Sequence, residues 1–319
     1  MSKSIFISVV SYCDNLLLYT IKRALTTAKN PHMLHFGVVD QNNNSVSIID
    51  TSEILPARIS YIHIDAIYAR GPCWARSLAM SLYDNEDYFF QIDAHMDFCD
   101  NWDEYLINQA IVISSNNRNY VISSYPQSFF IKNGEAVHDE IFTNPLVHVV
   151  KRNSTFHTNK YTLSFEAHMP MHPHPIRGYN IGAGCLFAPG HIVYDIPYDP
   201  YYYFHGEEQA YSIRLFTHGW DIYHIPKLPI YHQYNTFESG VPLRPLHWDT
   251  KMDSNRSTKW YTLENHSQER LSSLLNNKDL GVYSLGKLRT LDDYAYLSGI
   301  DYTNKTLSPK AHCPNKLSV

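Results

Sequence analysis

The chain has 319 residues, of which 44% are hydrophobic and 18% are charged, as is typical of a globular protein with a sizeable core. Its 26 basic and 31 acidic residues give a net charge of −5 and form no long basic block, so nucleic acid is not expected as a partner. Five scattered cysteines without a Cys-x-x-Cys pair favour neither a disulfide framework nor a thiolate zinc site and fit a cytoplasmic location.

The first half of the chain alternates between apolar runs and helical periodicity. The first apolar run is too short to span a membrane. In chain order, strands are predicted at residues 4–10, 35–39, 59–64, 88–92 and 120–124, and helices at 16–29, 71–83 and 102–114. This alternation predicts an α/β fold with a mostly parallel central sheet, whose ligands bind at the carboxyl ends of the strands.

The second half is less regular. Asn, His and Pro dominate residues 126–174, which predicts a loop-rich segment that could cover a site. Regular structure is predicted again at residues 181–187, in a helix at 207–218 and in a sheet segment near 230–234. After a polar linker, helices are predicted at 269–275 and 291–298, so residues 249–319 are interpreted as a small helical C-terminal extension.

The motif QIDAHMDF follows the strand at residues 88–92 and carries Asp93 and His95. In an extended chain, side chains two residues apart lie on one face, where both can bind one cation. A carboxylate and an imidazole suit Mn²⁺ or a similar divalent ion better than a structural zinc site. The alternative is that these polar residues only cap the loop after a core strand.

Arg70 and Arg76 flank the Gly-Pro start of a predicted helix. Guanidinium groups beside the N–H groups of a helix N-terminus make a favourable site for a diphosphate. The alternative for Arg76 is an ordinary position on a helix surface.

Three further residues are candidates for chemistry. Glu207 and Glu208 begin a helix, where they either complement the helix dipole or line a sugar pocket and accept a hydrogen bond from an attacking hydroxyl. His232 ends a short apolar run and is either a third metal ligand or a structural histidine.

Several blocks in fixed order carry a family resemblance: RGPCWAR, EDYFFQIDAHMDF, NWD, NIGAGCLFAPG, FHGEEQAYSIRLFTHGWDIY, PIYHQY and LGKLRTLDDYAYLSGID. Over residues 4–302 the chain resembles the N-acetylglucosaminyltransferases that modify hydroxyproline on a ubiquitin-ligase adaptor, together with their bacterial relatives. A weaker likeness to the polypeptide N-acetylgalactosaminyltransferases shares the Asp-x-His element, a Gly-Glu before a helix and a later histidine.

The resemblance implies a GT-A fold, a UDP-sugar donor and a divalent metal, Mn²⁺ or Mg²⁺. It implies a glycosyltransferase domain at residues 1–248, with a nucleotide-sugar half (1–125) and an acceptor half (126–248). The implied roles are metal binding for Asp93, His95 and His232, contacts to uracil and ribose for Ser11 and Tyr12, contacts to the diphosphate for Arg70 and Arg76, and contact with acceptor and donor sugar for Glu207, with Glu208 as its neighbour.

The expected reaction moves a sugar, GlcNAc, from a UDP-sugar to a hydroxyl of a protein or glycan, with retention of configuration as in the resembling family. The acceptor stays open, because residues 126–178 match none of the blocks. Two other functions remain open: a metal-dependent phosphoester hydrolase built on the same Asp-x-His pair, and a non-catalytic carbohydrate-binding protein using some of the 25 tyrosines.

Overall fold

The protein is a layered α/β structure built around one large sheet. The computed structural model describes residues 2–43, 57–157, 160–238 and 241–313. Within these residues the strands are β1 (Ile5–Tyr12), β2 (Leu34–Gln41), β3 (Arg58–His63), β4 (Tyr88–Asp93), β5 (Met96–Phe98), β6 (Tyr120–Ser123), β7 (Gln127–Lys132), β8 (Glu135–His138), β9 (Val147–Val150), β10 (Phe165–His168), β11 (Ile176–Gly178), β12 (Cys185–Pro189), β13 (Asp221–His224), β14 (Ile230–His232), β15 (Phe237–Glu238), β16 (Val241–Pro242), β17 (Ile300–Asp301) and β18 (Thr306–Leu307).

Helices connect and flank these strands. They are α1 (Leu17–Thr27), α2 (Pro72–Met80), α3 (Trp102–Ser114), α4 (Ile192–Asp195), α5 (Glu207–Thr217), α6 (Thr250–Ser254), α7 (Trp260–Leu275) and α8 (Leu291–Ser298). No helix in the described part of the chain is both long enough and apolar enough to cross a membrane.

The central sheet has eight strands in the described residues, in the order β11-β13-β6-β12-β4-β1-β2-β3. β1 is parallel to β2 and β4, β2 is parallel to β3, and β6 is parallel to β13. β12 is antiparallel to β4 and β6, and β11 is antiparallel to β13. The α/β class is confirmed. In the described residues, the antiparallel pairings of this sheet involve β11 or β12, both of which follow residue 126.

A smaller sheet lies at the carboxyl end of β4 and has the order β5-β14-β7-β8. The chain turns after Asp93 and enters β5, which pairs antiparallel with β14 so that Met96 lies opposite His232. The amide of Gln233 also donates to the carbonyl of His95 at 3.0 Å. These backbone contacts join two segments that are far apart in sequence.

Apolar side chains of β4 alternate between the two faces of the central sheet, as expected for a strand buried on both sides. Phe90 and Ile92 join the core formed with α1 and α3. Phe89 joins a second core that includes Leu271 of α7 and Tyr294 of α8. The C-terminal helices therefore bury apolar residues in the same core as the sheet.

Some element predictions need correction. The segment 126–174, predicted as loop-rich, contains β7 to β10, because short runs such as Val147–Val150 are buried and pair with another strand, here β10. The sheet segment predicted near 230–234 is β14, which belongs to the smaller sheet and not to the central one. The helix predicted at 269–275 begins earlier, at Trp260.

Candidate functional site

The carboxyl ends of β1 and β4 open into a cavity of about 1120 Å³. The two strands are parallel and pair Val10 with Asp93, so the last residues of β1, Ser11 and Tyr12, lie beside the turn that follows β4. The cavity continues past the start of α5 to the face of α7. We call the part beside β1, β4 and β14 the strand end, and the part beside α7 the helix end.

Asp93, His95 and His232 converge at the strand end, with one potential ligand atom of each within 4.8 Å of the others. The Nε2 atoms of the two histidines are 3.0 Å apart. Asp93 Oδ2 lies 3.3 Å from His232 Nε2 and 3.9 Å from His95 Nε2. Asp93 ends β4, His95 lies in the turn before β5, and the pairing of β14 with β5 supplies His232. We call these three residues the Asp-His-His triad.

Asp14 orients one member of the triad, a role that the sequence did not reveal. Its side chain is buried, and Asp14 Oδ2 accepts a hydrogen bond from His95 Nδ1 at 2.7 Å. Arg244 Nε lies 3.6 Å from the same Oδ2, and the other oxygen, Oδ1, accepts from the amide of Leu16 at 2.9 Å. A proton held on Nδ1 leaves the Nε2 lone pair of His95 directed at the other two members of the triad.

The electrostatics of the triad favour a charged carboxylate beside a neutral imidazole. Burial opposes ionisation of Asp93, but the hydrogen bond with His232 and the charge of Arg76 outweigh it, so the pKa of this carboxyl lies well below its usual range. Burial lowers the pKa of His232, despite the opposing contact with Asp93. One anionic oxygen and two imidazole nitrogens form a donor set that fits a divalent cation.

Gly184, in the block NIGAGC, leaves room for the carboxylate of the triad. A Cβ at this position would lie 2.4 Å from Asp93 Oδ2, closer than van der Waals contact allows. The carboxylate therefore occupies space that only a residue without a side chain leaves free.

The two predicted arginines have different surroundings. Arg76 is buried in α2, where NH2 donates to Asp93 Oδ1 at 2.9 Å and NH1 pairs closely with Glu207. Arg70 is exposed, lies over the ring of Trp74 with 5.6 Å between guanidinium carbon and ring centroid, and is not among the residues that line the cavity. The structure therefore brings Arg76, and not Arg70, to the triad.

The paired acids at the start of α5 also differ. Glu207 is 4% exposed and accepts close hydrogen bonds from Arg76 and Tyr198. Its negative charge is therefore balanced by Arg76 inside the protein. Glu208 Oε1 accepts from the amide of Ala183 at 2.8 Å. Burial raises the pKa of Glu208 to about 7, although that amide opposes the shift. Both residues line the cavity, and Glu208 has the properties of a proton-exchanging group near neutral pH.

Ser11 and Tyr12, which the resemblance assigned to the nucleotide, line the strand end. The ring of Tyr12 lies 4.9 Å from that of His247 and 5.3 Å from the guanidinium of Arg256, which also contacts its hydroxyl. His247 and Arg244 line the same cavity but were not predicted, because they lie between two recognised blocks, PIYHQY and LGKLRTLDDYAYLSGID, in a segment without periodicity.

Comparisons with known proteins identify the family and the fold of this chain. A family described as Glycosyltransferase (GlcNAc) matches residues 4–56 and 47–304. The chain belongs to this GlcNAc glycosyltransferase family. No curated protein matches it.

Solved structures show the fold of this family member. The structure of GalNAc-T7 with UDP, GalNAc and Mn²⁺ is similar over 92% of this chain, with a TM-score of 0.58 and 11% identity, and confirms the predicted GT-A fold. This chain spans 54% of the GalNAc-T7 chain. S. aureus TarS 1–349 matches 72% of this chain and 60% of its own, with a TM-score of 0.44 and 15% identity. The fold assignment rests on GalNAc-T7.

Proposed function

We propose that this protein is a metal-dependent glycosyltransferase that moves GlcNAc from UDP-GlcNAc to a hydroxyl acceptor on a protein or a glycan, with retention of configuration. The family match supports the sugar, and the UDP and Mn²⁺ in the GalNAc-T7 structure support a nucleotide donor and a divalent ion. The observation that carries the proposal is the convergence of the Asp-His-His triad at the strand end of a cavity in a glycosyltransferase fold.

The triad is the proposed binding site for Mn²⁺ or Mg²⁺. When bound there, such a cation would act as a Lewis acid toward the leaving diphosphate. Asp14 keeps His95 in the tautomer that a metal requires, and Arg76 holds one oxygen of Asp93 so that the other faces the histidines. The buried Nδ1 of His232 has no hydrogen-bond partner among the described residues, so nothing there competes for the orientation of this ring.

The nucleotide is proposed to bind beside Ser11 and Tyr12. The Ser11 hydroxyl is buried, lines the cavity and has no hydrogen-bond partner among the described residues, so it is available to a ligand. The ring of Tyr12 is held on one side by Arg256 and His247. Arg244 supplies positive charge from the same wall of the cavity.

Glu208 is proposed to contact the donor sugar or the acceptor hydroxyl. Its raised pKa lets it exchange a proton near pH 7, whereas Glu207 is committed to Arg76 and Tyr198 and acts as a structural anion that holds Arg76. Both residues lie between the triad and the helix end, where a transferred sugar would pass.

Calorimetry with UDP, with and without Mn²⁺, tests the donor site. We expect UDP binding that depends on Mn²⁺, and equal weak binding under both conditions would contradict the proposal.

Mass spectrometry of the products from a panel of nucleotide sugars identifies the donor, and NMR of the product establishes the anomeric configuration. A hydrolase would cleave the donor at full speed without acceptor, whereas a transferase is stimulated by one.

A further inference from the structure

The helix end of the cavity contains groups that the triad and the nucleotide site do not use. Pockets for one small ligand usually measure roughly 300–1000 Å³, and this cavity of about 1120 Å³ continues from the triad to α7. It therefore has room for part of a second substrate beside the donor.

One face of α7 borders this space. Trp260, Glu264 and Gln268 are spaced four residues apart, so they lie in one row along the helix, and all three line the cavity. Gln268 Nε2 donates to Glu264 Oε1 at 2.7 Å. Glu264 Oε2 is buried without a hydrogen-bond partner among the described residues, and its neighbour is His205 Nδ1 at 3.3 Å. An acceptor oxygen of the row is thus available to a donor group of a ligand.

Aromatic rings also border the helix end. Trp248 and Phe204 line the cavity and contact each other edge to face, with centroids 5.1 Å apart. Phe204 is 43% exposed, so part of its ring is open to a ligand. The helix end therefore combines flat apolar surfaces with a carboxylate and an amide.

This combination matches a sugar ring better than a peptide. A pyranose has an apolar C–H face that packs on an indole, and a rim of hydroxyls that donate to a carboxylate and accept from an amide. Peptides that bind in extended form usually pair with free main-chain groups of a strand edge. The wall here is a helix, whose main-chain groups are bonded within α7 beyond its first turn, and the N–H of Trp260 in that turn donates to Asp253.

We propose that the acceptor is a saccharide whose terminal sugar packs against Trp260 and hydrogen-bonds to Glu264 and Gln268; this inference rests on the proposed function. In the reaction, the bond between C1 of GlcNAc and the UDP oxygen breaks, and its electron pair leaves with UDP. A hydroxyl oxygen of the acceptor forms the new bond to C1, and its proton leaves with the UDP product.

The test compares two acceptor classes with the full-length protein, Mn²⁺ and UDP-GlcNAc. UDP release is measured with a panel of methyl glycosides, and separately with sugar-free peptides that contain serine, threonine or hydroxyproline. The proposal expects at least one glycoside to stimulate release and form a disaccharide. Transfer to the peptides alone would overturn it.

Variants of α7 locate the effect. Glu264→Gln is expected to raise the glycoside KM about tenfold, and Trp260→Ala is expected to raise it by about as much. The matched control is Glu269→Gln, on an exposed position of the same helix that does not line the cavity. Equal KM values for Glu264→Gln and Glu269→Gln would overturn the proposal.

A binding measurement separates this inference from the proposed function. Calorimetry of UDP with Mn²⁺ is expected to give the same affinity for Glu264→Gln, Trp260→Ala and the unmodified protein. If the unmodified protein binds UDP with Mn²⁺ but no glycoside stimulates it, only the saccharide proposal fails. If it does not bind UDP, the proposed function fails and the acceptor inference fails with it.

Discussion

The two ends of the cavity are built from different kinds of structure. The strand end consists of residues at the carboxyl ends of parallel strands of the central sheet, such as Ser11 and Asp93, and its charged groups are bonded to one another. The helix end consists of one row on α7 and aromatic rings from the segment before α5 and from residue 248. The charged groups of the strand end thus hold one another in place before any ligand binds, as a site for a fixed donor requires. The helix end instead offers an exposed aromatic ring, Phe204, beside a carboxylate and an amide, as suits a more variable partner.

The strongest test of the strand end is Asp93→Asn. The substitution removes the anionic member of the triad, and since even outer-sphere partners of metal ligands contribute about 10–100-fold, the loss of Mn²⁺-dependent turnover should exceed about 100-fold. Asp100→Asn, on an exposed loop nearby, is the control and should leave turnover unchanged. Near-normal UDP release by a folded Asp93→Asn protein would remove the triad from the mechanism.

Asp14→Asn tests whether the buried partner of His95 matters. An amide cannot hold the Nδ1 proton as a carboxylate does, so Mn²⁺ affinity in the presence of UDP should fall by about 10–100-fold. Asp65→Asn is a matched control, because Asp65 accepts from the amide two residues later, as Asp14 does, without contacting a histidine. Calorimetry that finds equal Mn²⁺ affinities for the two variants would contradict the role of Asp14.

Gly184→Ala disturbs the triad without changing any of its members. The new Cβ would overlap Asp93 Oδ2 and move the carboxylate, so Mn²⁺ affinity should fall about tenfold. Gly37→Ala is the comparison, since its Cβ would meet Phe6 instead. That variant should lower the thermal unfolding midpoint and leave Mn²⁺ affinity unchanged, and a similar loss of affinity in both variants would indicate a general effect of strain.

Glu208→Gln tests the group between the two ends. Because burial raises its pKa from 4.5 to about 7, the folded protein holds this proton more tightly than the unfolded chain does. The resulting stability is complete below pH 4.5 and is lost as the pH rises through about 7. From pH 5 to pH 8 the free energy of unfolding should therefore fall by about 1–3 kcal/mol more in the unmodified protein than in Glu208→Gln.

Urea unfolding with a chelator present measures this difference. Glu135→Gln, at an exposed position on β8, serves as the control and should follow the unmodified protein at both pH values. Parallel pH dependences for Glu208→Gln and the unmodified protein would show that Glu208 titrates in its ordinary range.

Much of the strand end was predictable because its patterns are local. Asp93 and His95 are two residues apart, directly after a buried strand, and this spacing indicates a shared face. Asp14 also follows a strand, yet its contact with His95 spans 81 residues of sequence, and nothing in its surroundings distinguishes it from an acid in a turn. Its role depends on how α1 and the turn after β4 pack together.

The helix end was not predictable. Trp260, Glu264 and Gln268 resemble an ordinary amphipathic helix surface, because the same spacing serves both a solvent-facing row and a row that faces a cavity. The direction that α7 faces is decided by Leu271 and Leu274, which are buried in the core shared with the sheet.

The sequence alone determined the α/β class, most of the strands and helices of the first half, and the pair of residues that begins the triad. These features depend on neighbours within a few residues, through periodicity and strand spacing. Tertiary structure decided which distant groups meet: His232 reaches Asp93 through β14, and Arg76 rather than Arg70 contacts the triad. Pairings across long sequence separations depend on packing and register, which no local pattern encodes.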